Sequence, residues 1–188
     1  MAVEICASRS SDDVAGVISA AFGDRGDSVA ALWREIEASG RVLGSLVAVD
    51  AERVVGHVGL SPAWVDARRA LVDVWVLSPL SVHPDEQGAG IGAGLVTAAV
   101  EAARVGGAPL LFLEGSPAFY GPHGFRRAGE LGFEPASRRT PEAGFQVVRF
   151  DLAEDWMTGR LIYPDVWWRH DAAGLRDPEL AEIEELLG

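Results

Sequence analysis

The apolar positions along this 188-residue chain change period several times, and the changes divide it into elements. Residues 3–7 form a short apolar run of strand length. From residue 11 to about 22 the apolar positions fall at helical spacing, with Ser11 and Asp12 as candidate caps. Residues 23–27 break the pattern. It resumes over 28–38, with Val29, Leu32, Trp33 and Ile36 on one helical face and Gly40 as terminator. The period then shortens: 41–49 and 53–60 read as two strands joined by Asp50-Ala51-Glu52, a hairpin. Residues 62–69 read as a connection. Residues 70–82 are a long strand containing Pro79, which cannot donate to a ladder, so the strand must bend or leave a neighbour there. A small-residue helix follows over 92–105 and a buried strand over 109–114. Residues 116–120 are a turn or short helix, 145–152 a further strand, and 178–187 an acidic helix. Strand hairpins with one helical crossover predict an α+β fold with a mixed sheet.

Length predicts one domain over 1–153, with 154–188 as a tail packed on it. No apolar run of about 18 residues exists, so no membrane span is expected. The start, M-A-V-E-I-C-A-S-R, lacks a basic region followed by an apolar block. Cys6 is the one cysteine, which excludes an intrachain disulfide or a cysteine metal site, and the cytoplasm is the expected compartment. The formal charge is −12, all 16 basic residues are Arg, and the chain contains neither Lys nor Asn. Absence of Lys removes Schiff-base chemistry and the P-loop lysine. The acid excess argues against nucleic acid as a partner and favours a cationic one.

Candidate chemistry concentrates at V-H-P-D-E-Q-G-A-G-I-G-A-G, residues 82–94. A strand opening through glycines into a helix gathers free backbone N–H groups at one point, which suits a phosphate. The dinucleotide fingerprint G-x-G-x-x-G fails from Gly88, where Ala93 stands in the last position, and from Gly90, where Leu95 does. What fits is Q-x-x-G-x-G, at Gln87, Gly90 and Gly92, preceded by V-x-P.

With its flanking strand and helix, this string resembles the acyl-CoA-binding motif of the GCN5-related N-acetyltransferase (GNAT) superfamily, over about residues 3–152. The downstream F-Y-G-P-H-G-F, residues 119–125, resembles that superfamily's Tyr-containing segment. G-R-L-I-Y-P-D-V, residues 159–166, resembles the closing segment of bacterial members of the YhbS type. The resemblance implies a mostly antiparallel central sheet flanked by helices and splayed at the strand ending near Val82. It implies acetyl-CoA as co-substrate, without a metal, and transfer of acetyl to a primary amine by direct attack. The backbone of Gln87, Gly88, Ala89, Gly90, Ile91 and Gly92 would hold the pyrophosphate. Leu80, Ser81 and Val82 would pair with the pantetheine arm, the Val82 N–H serving as oxyanion donor. Tyr120 would be the general acid near the sulfur. Asp73 and Glu114 are the candidate bases, beside the competing reading of each as an ion-paired carboxylate. His83 and His123 flank the motifs. Where many relatives carry an Asn that contacts the pantetheine, this chain has Gly115-Ser116-Pro117; Ser116 is its candidate cofactor contact. The expected acceptor is a small amine or a peptide, and a homodimer through the tail is expected. The alternative is a non-catalytic acyl-CoA binding or sensing module on the same fold.

Overall fold

The computed structural model describes residues 3–8 and 11–187, with the Ser11 side chain and its capping role outside the described part. In chain order the elements are β1 (Glu4–Ala7), α1 (Ser11–Ala21), α2 (Gly26–Ala38), β2 (Gly44–Asp50), β3 (Arg53–Ala67) and β4 (Leu71–Val82). There follow α3 (Ile91–Val105), β5 (Leu110–Glu114), α4 (Pro117–Tyr120), β6 (Arg126–Arg127), β7 (Phe133–Glu134), β8 (Phe145–Arg149), β9 (Gly159–Ile162), α5 (Asp165–Arg169) and α6 (Glu179–Leu187). The strands form a mixed, mostly antiparallel sheet. The chain divides into two compact units, Met1–Ser61 with Leu77–Ala103, and Pro62–Val76 with Arg104–Gly188.

In the first unit, β1, β2 and the first part of β3 are antiparallel neighbours, Cys6 opposite Val47 and Val47 opposite His57. The β2–β3 turn is a two-residue loop, Ala51 and Glu52, both at positive φ (47° and 70°). That is the signature of a type I′ turn, whose twist matches the flanking strands. Successive residues of β3 face opposite ways, and each face carries a helix. On one face Gly56 meets α3: a Cβ there would lie 2.9 Å from Leu95 Cδ1. On the other, Trp33 of α2 lies across Gly59 and His57, its ring 5.0 Å from the imidazole. Val14, Ile18, Trp33, Val55, Val58, Leu60, Leu95 and Val96 are all nearly or fully excluded from solvent.

In the second unit, β5 runs antiparallel to β8, and β8 to β6. β4 and β5 are parallel neighbours over Trp75–Leu111 and Val76–Phe112. That pairing stops at Val76, although β4 runs on to Val82, so the strand leaves its neighbour before the proline. Phe112 anchors the core, edge-on to Phe133 and stacked on Phe145.

Three expectations about elements change. Residues 62–69 are not a connection: β3 continues through Pro62 to Ala67. Its β2 pairing ends at Leu60 and its β9 pairing begins at Trp64, so Pro62 stands where neither ladder asks for its missing N–H. Residues 154–188 supply β9, which pairs with β3 and with β7. Gly159 makes that approach possible: at φ 146° a Cβ would lie only 2.2 Å from the Asp66 carbonyl oxygen. The strand expected over 145–152 ends at Arg149.

Candidate active site

The glycine turn is built by a short chain of hydrogen bonds. The His83 amide donates to the Val55 carbonyl (2.8 Å), tying the end of β4 to β3. A 3₁₀ turn follows, Pro84–Glu86, with His83 Nδ1 accepting weakly from the Asp85 amide (3.4 Å). Gln87 Nε2 then donates to the Val82 carbonyl (3.1 Å), and Arg53 pairs with Glu86 at 2.5 Å. The Gln87 side chain therefore shapes the turn, and its backbone amide already donates to Pro84 (3.3 Å). Gln87 is in this way separated from the amides expected to meet the ligand. The next five amides, Gly88 to Gly92, have no backbone acceptor among the described residues. Gly88 and Gly90 hold φ of 79° and 82°, a conformation natural to glycine, and no heavy atom lies within 4 Å of where their Cβ atoms would be. Ile91 opens α3, so the free amides coincide with the positive end of a 15-residue helix. The result is an open cradle for an oxyanion. Leu80 and Val82 are half-buried, while Ser81 is buried with its hydroxyl unpaired.

The phenol and the carboxyl gather at a corner of the second unit. β5 ends at Glu114, and the Gly115 backbone is pinned from both sides. Its amide donates to the Gly144 carbonyl (2.9 Å), and its carbonyl accepts from Gln146 Nε2 (2.9 Å). Tyr120 lies directly over this glycine: a Cβ at Gly115 would fall 2.4 Å from Tyr120 Cε2. Phe119 and Phe125 flank the tyrosine ring edge-on. That apolar burial pushes the phenol up to about 12. Ser116 is exposed just before α4, its carbonyl accepting from the amides of Phe119 and Tyr120.

Glu114 is covered too. Burial raises its pKa above the ordinary value, although a hydrogen bond from Tyr163, the Thr140 hydroxyl and the Arg139 charge draw it back. The Tyr163 hydroxyl donates to Glu114 Oε1 at 2.9 Å. Asp73 stands elsewhere. The parallel register sets it two residues before the Trp75–Leu111 pair, whereas Glu114 lies two residues after the Val76–Phe112 pair. Five residues of strand separate the two levels, roughly 16 Å, and Asp73 is exposed. The two candidate bases are thus not brought together, and Glu114 alone lies next to the turn that carries Tyr120.

Sequence reasoning missed Gln146, Tyr163 and His57. Gln146 and Tyr163 reach the corner from strands distant in sequence, so no local spacing announces them. Tyr163 did lie within the string noted in the tail. His57 is fully buried, with Nε2 at 3.1 Å from Ser45 Oγ and Nδ1 unpartnered; burial lowers its pKa to about 3. Among the described residues no group of three or more His, Cys, Asp or Glu side chains could hold a metal. No described helix is long and apolar enough to cross a membrane.

β4 parts from β5 after Val76 and runs on toward the turn that opens the amide cradle, as the resemblance to GNAT acetyltransferases implied, and comparison with known proteins points to the same class. The family model "Acetyltransferase (GNAT) domain" matches residues 41–127. The chain is 33% identical over 133 residues to the uncharacterized N-acetyltransferase YjhQ of Escherichia coli K12, covering 69% of this chain and 72% of that one. It is also similar to the GNAT family N-acetyltransferase YhbS of Escherichia coli, solved in complex with CoA. That likeness has a TM-score of 0.78 and 26% identity, over 89% of this chain and 92% of that one. A GNAT family acetyltransferase from Brucella melitensis, solved with acetyl-CoA, shares the fold at a TM-score of 0.72 and 24% identity, over 88% of this chain and 98% of that one. The chain belongs to the GNAT acetyltransferase family.

Proposed function

We propose that the protein transfers acetyl from acetyl-CoA to a primary amine by direct attack. The observation that carries this reading is the cradle: five free amides, Gly88 to Gly92, over open space at a helix start. In this reading those amides hold the pyrophosphate of acetyl-CoA. Leu80, Ser81 and Val82, beyond the last pair with β5, offer their backbone to the pantetheine amides. The Val82 N–H polarises the thioester carbonyl, and Ser116 contacts the arm.

The amine nitrogen forms a bond to the carbonyl carbon, the carbon–sulfur bond breaks, and CoA leaves as a thiolate. Glu114 accepts the amine proton; its raised pKa makes it a stronger base than an ordinary carboxylate. The resemblance puts Tyr120 beside the leaving sulfur. Its phenol, near 12, lies above an ordinary thiol at about 8.5, so full proton transfer to the thiolate is uphill by about 5 kcal/mol. Tyr120 therefore serves as a hydrogen-bond donor that eases sulfur departure, with the proton balance carried by Glu114. The acceptor is a small amine or a peptide, and a cationic one is favoured by the net charge of −12.

Calorimetric titration with acetyl-CoA, CoA and NAD, beside a Gly90→Trp variant, tests the cradle. Micromolar or tighter binding of the two CoA species, absent for NAD and for the variant, supports it. Failure of every CoA species to bind folded protein overturns it. Turnover of an amine panel by the wild type, reduced roughly 10²-fold in Tyr120→Phe with acetyl-CoA affinity kept, supports the transferase. Binding of acetyl-CoA without turnover of any amine assigns a sensing module instead.

A further inference from the structure

The segment after β8 reaches the end of β5, where Tyr163 meets Glu114. We propose that Tyr163, which lies beyond residues 41–127, is a positioning residue: its hydroxyl fixes the Glu114 carboxylate in one orientation as the proton acceptor. This deepens the proposed function and rests on it.

Three observations carry the assignment. The Tyr163 hydroxyl donates to Glu114 Oε1 at 2.9 Å, and its residue is 5% exposed, so water does not compete freely for that bond. The tyrosine is itself held at both ends. Its ring stacks on Trp167 of α5, centroids 4.8 Å apart and planes 19° from parallel, and its carbonyl accepts from Trp168 Nε1 (3.3 Å). Its backbone follows directly on β9, whose Ile162 pairs with Trp64 of β3. A rigid donor of this kind selects one rotamer of a carboxyl at a strand end, where the side chain would otherwise sample several.

The hydroxyl contacts one oxygen and leaves Glu114 Oε2 for another donor. The same corner holds the charges that tune this oxygen pair. From the segment before β8, Arg139 and Thr140 act on Glu114, and Arg139 is shared with Asp171, which in turn pairs with Arg176. From β8, Gln146 occupies the neighbouring Gly115 carbonyl rather than the carboxyl. Tyr163 is therefore a direct donor to Glu114 through which the tail acts on the chemistry. A hydrogen bond to the charged form favours ionisation, so its loss makes the carboxyl harder to ionise.

Tyr163→Phe removes the hydroxyl and keeps the ring that stacks on Trp167. Carboxyl ¹³C NMR titration of wild type and Tyr163→Phe, with Glu114→Gln to assign the resonance, reads the carboxyl directly and needs no acceptor. The expected result is a Glu114 midpoint about one unit higher in Tyr163→Phe. In acetyl transfer to the best amine of a panel, the acidic limb of kcat/KM moves up by the same amount. The rate below that limb falls about tenfold, while the high-pH plateau stays within threefold. An unmoved midpoint, or a loss uniform in pH, overturns the proposal alone and leaves Tyr163 a packing residue. A full rate in Glu114→Gln, or no turnover by wild type, overturns it together with the transferase reading.

Discussion

Burial holds the Glu114 carboxyl above its ordinary pKa, outweighing the opposing Tyr163 bond and Arg139 charge. A carboxyl raised in the folded state contributes stability below its unfolded pKa and loses that contribution as pH rises through the folded one. Glu114→Gln keeps an oxygen for Tyr163 and removes the charge. We expect it to be more stable than wild type at pH 8, to converge with it near pH 4, and to lose acetyl transfer; urea denaturation at the two pH values measures the first part. His57 works in the opposite sense. Its folded pKa, near 3, lies below the unfolded 6.5, so the unfolded chain takes up a proton first as pH falls. Stability is lost from about pH 6.5 downward, by about 2 kcal/mol at pH 5 from this group. His57→Leu should show a shallower loss between pH 7.5 and 5, and an unchanged slope would mean the imidazole ionises in place. Glu114, Tyr120 and Asp73 could all be named from the sequence, but only the fold sorts them. Parallel pairing of β4 with β5 sends Asp73 to the far level and leaves Glu114 beside the turn carrying Tyr120.

Elements with strong local patterns were readable because their signals are local. Helices α1 and α2, the β2–β3 hairpin and the strand–glycine–helix turn each announce themselves by period or by turn chemistry. The second half of β3 was not readable. Pro62 looks like a terminator, and what permits strand there is a change of partner that involves residues about a hundred positions away. β9 was hidden for the same reason: four residues, G-R-L-I, have no clear period, and their strand state comes from pairing with Trp64 to Ala67. Gly159 is the weak joint of that pairing. Any β-carbon meets the Asp66 carbonyl, so Gly159→Val should cost about 2–3 kcal/mol and free β9 from β3. Hydrogen exchange should then speed up at Arg160 and Leu161 while β1 and β2 keep their protection. If Tyr163 positions Glu114, the same variant also shifts the acidic limb of activity, because the tyrosine follows β9 directly.

For the molecule as a whole, composition bounded the class of partner and left the acceptor open. Absence of Lys removes the phosphate-loop lysine, and the excess of acid argues against a basic face for nucleic acid. Acceptor pockets are made by loops and helix ends whose side chains converge only in three dimensions, so no spacing in the chain encodes them. What survives at this scale is the field. With a net charge of −12, the protein attracts cations over distances set by the Debye length, about 10 Å at 0.1 M salt and about 3 Å at 1 M. In the first unit a cavity of about 590 Å³ is lined by Asp12, Asp13 and Glu52, against the one cation Arg53 among its described lining residues, so local acid adds to the global excess. Steering acts on encounter and not on the chemical step. A polyamine such as spermidine should lose kcat/KM several-fold between 20 and 500 mM salt with kcat held, while an uncharged arylamine should change little. Equal salt dependence for the two amines would confine the negative charge to solubility, and the acceptor would then have to be sought by shape alone.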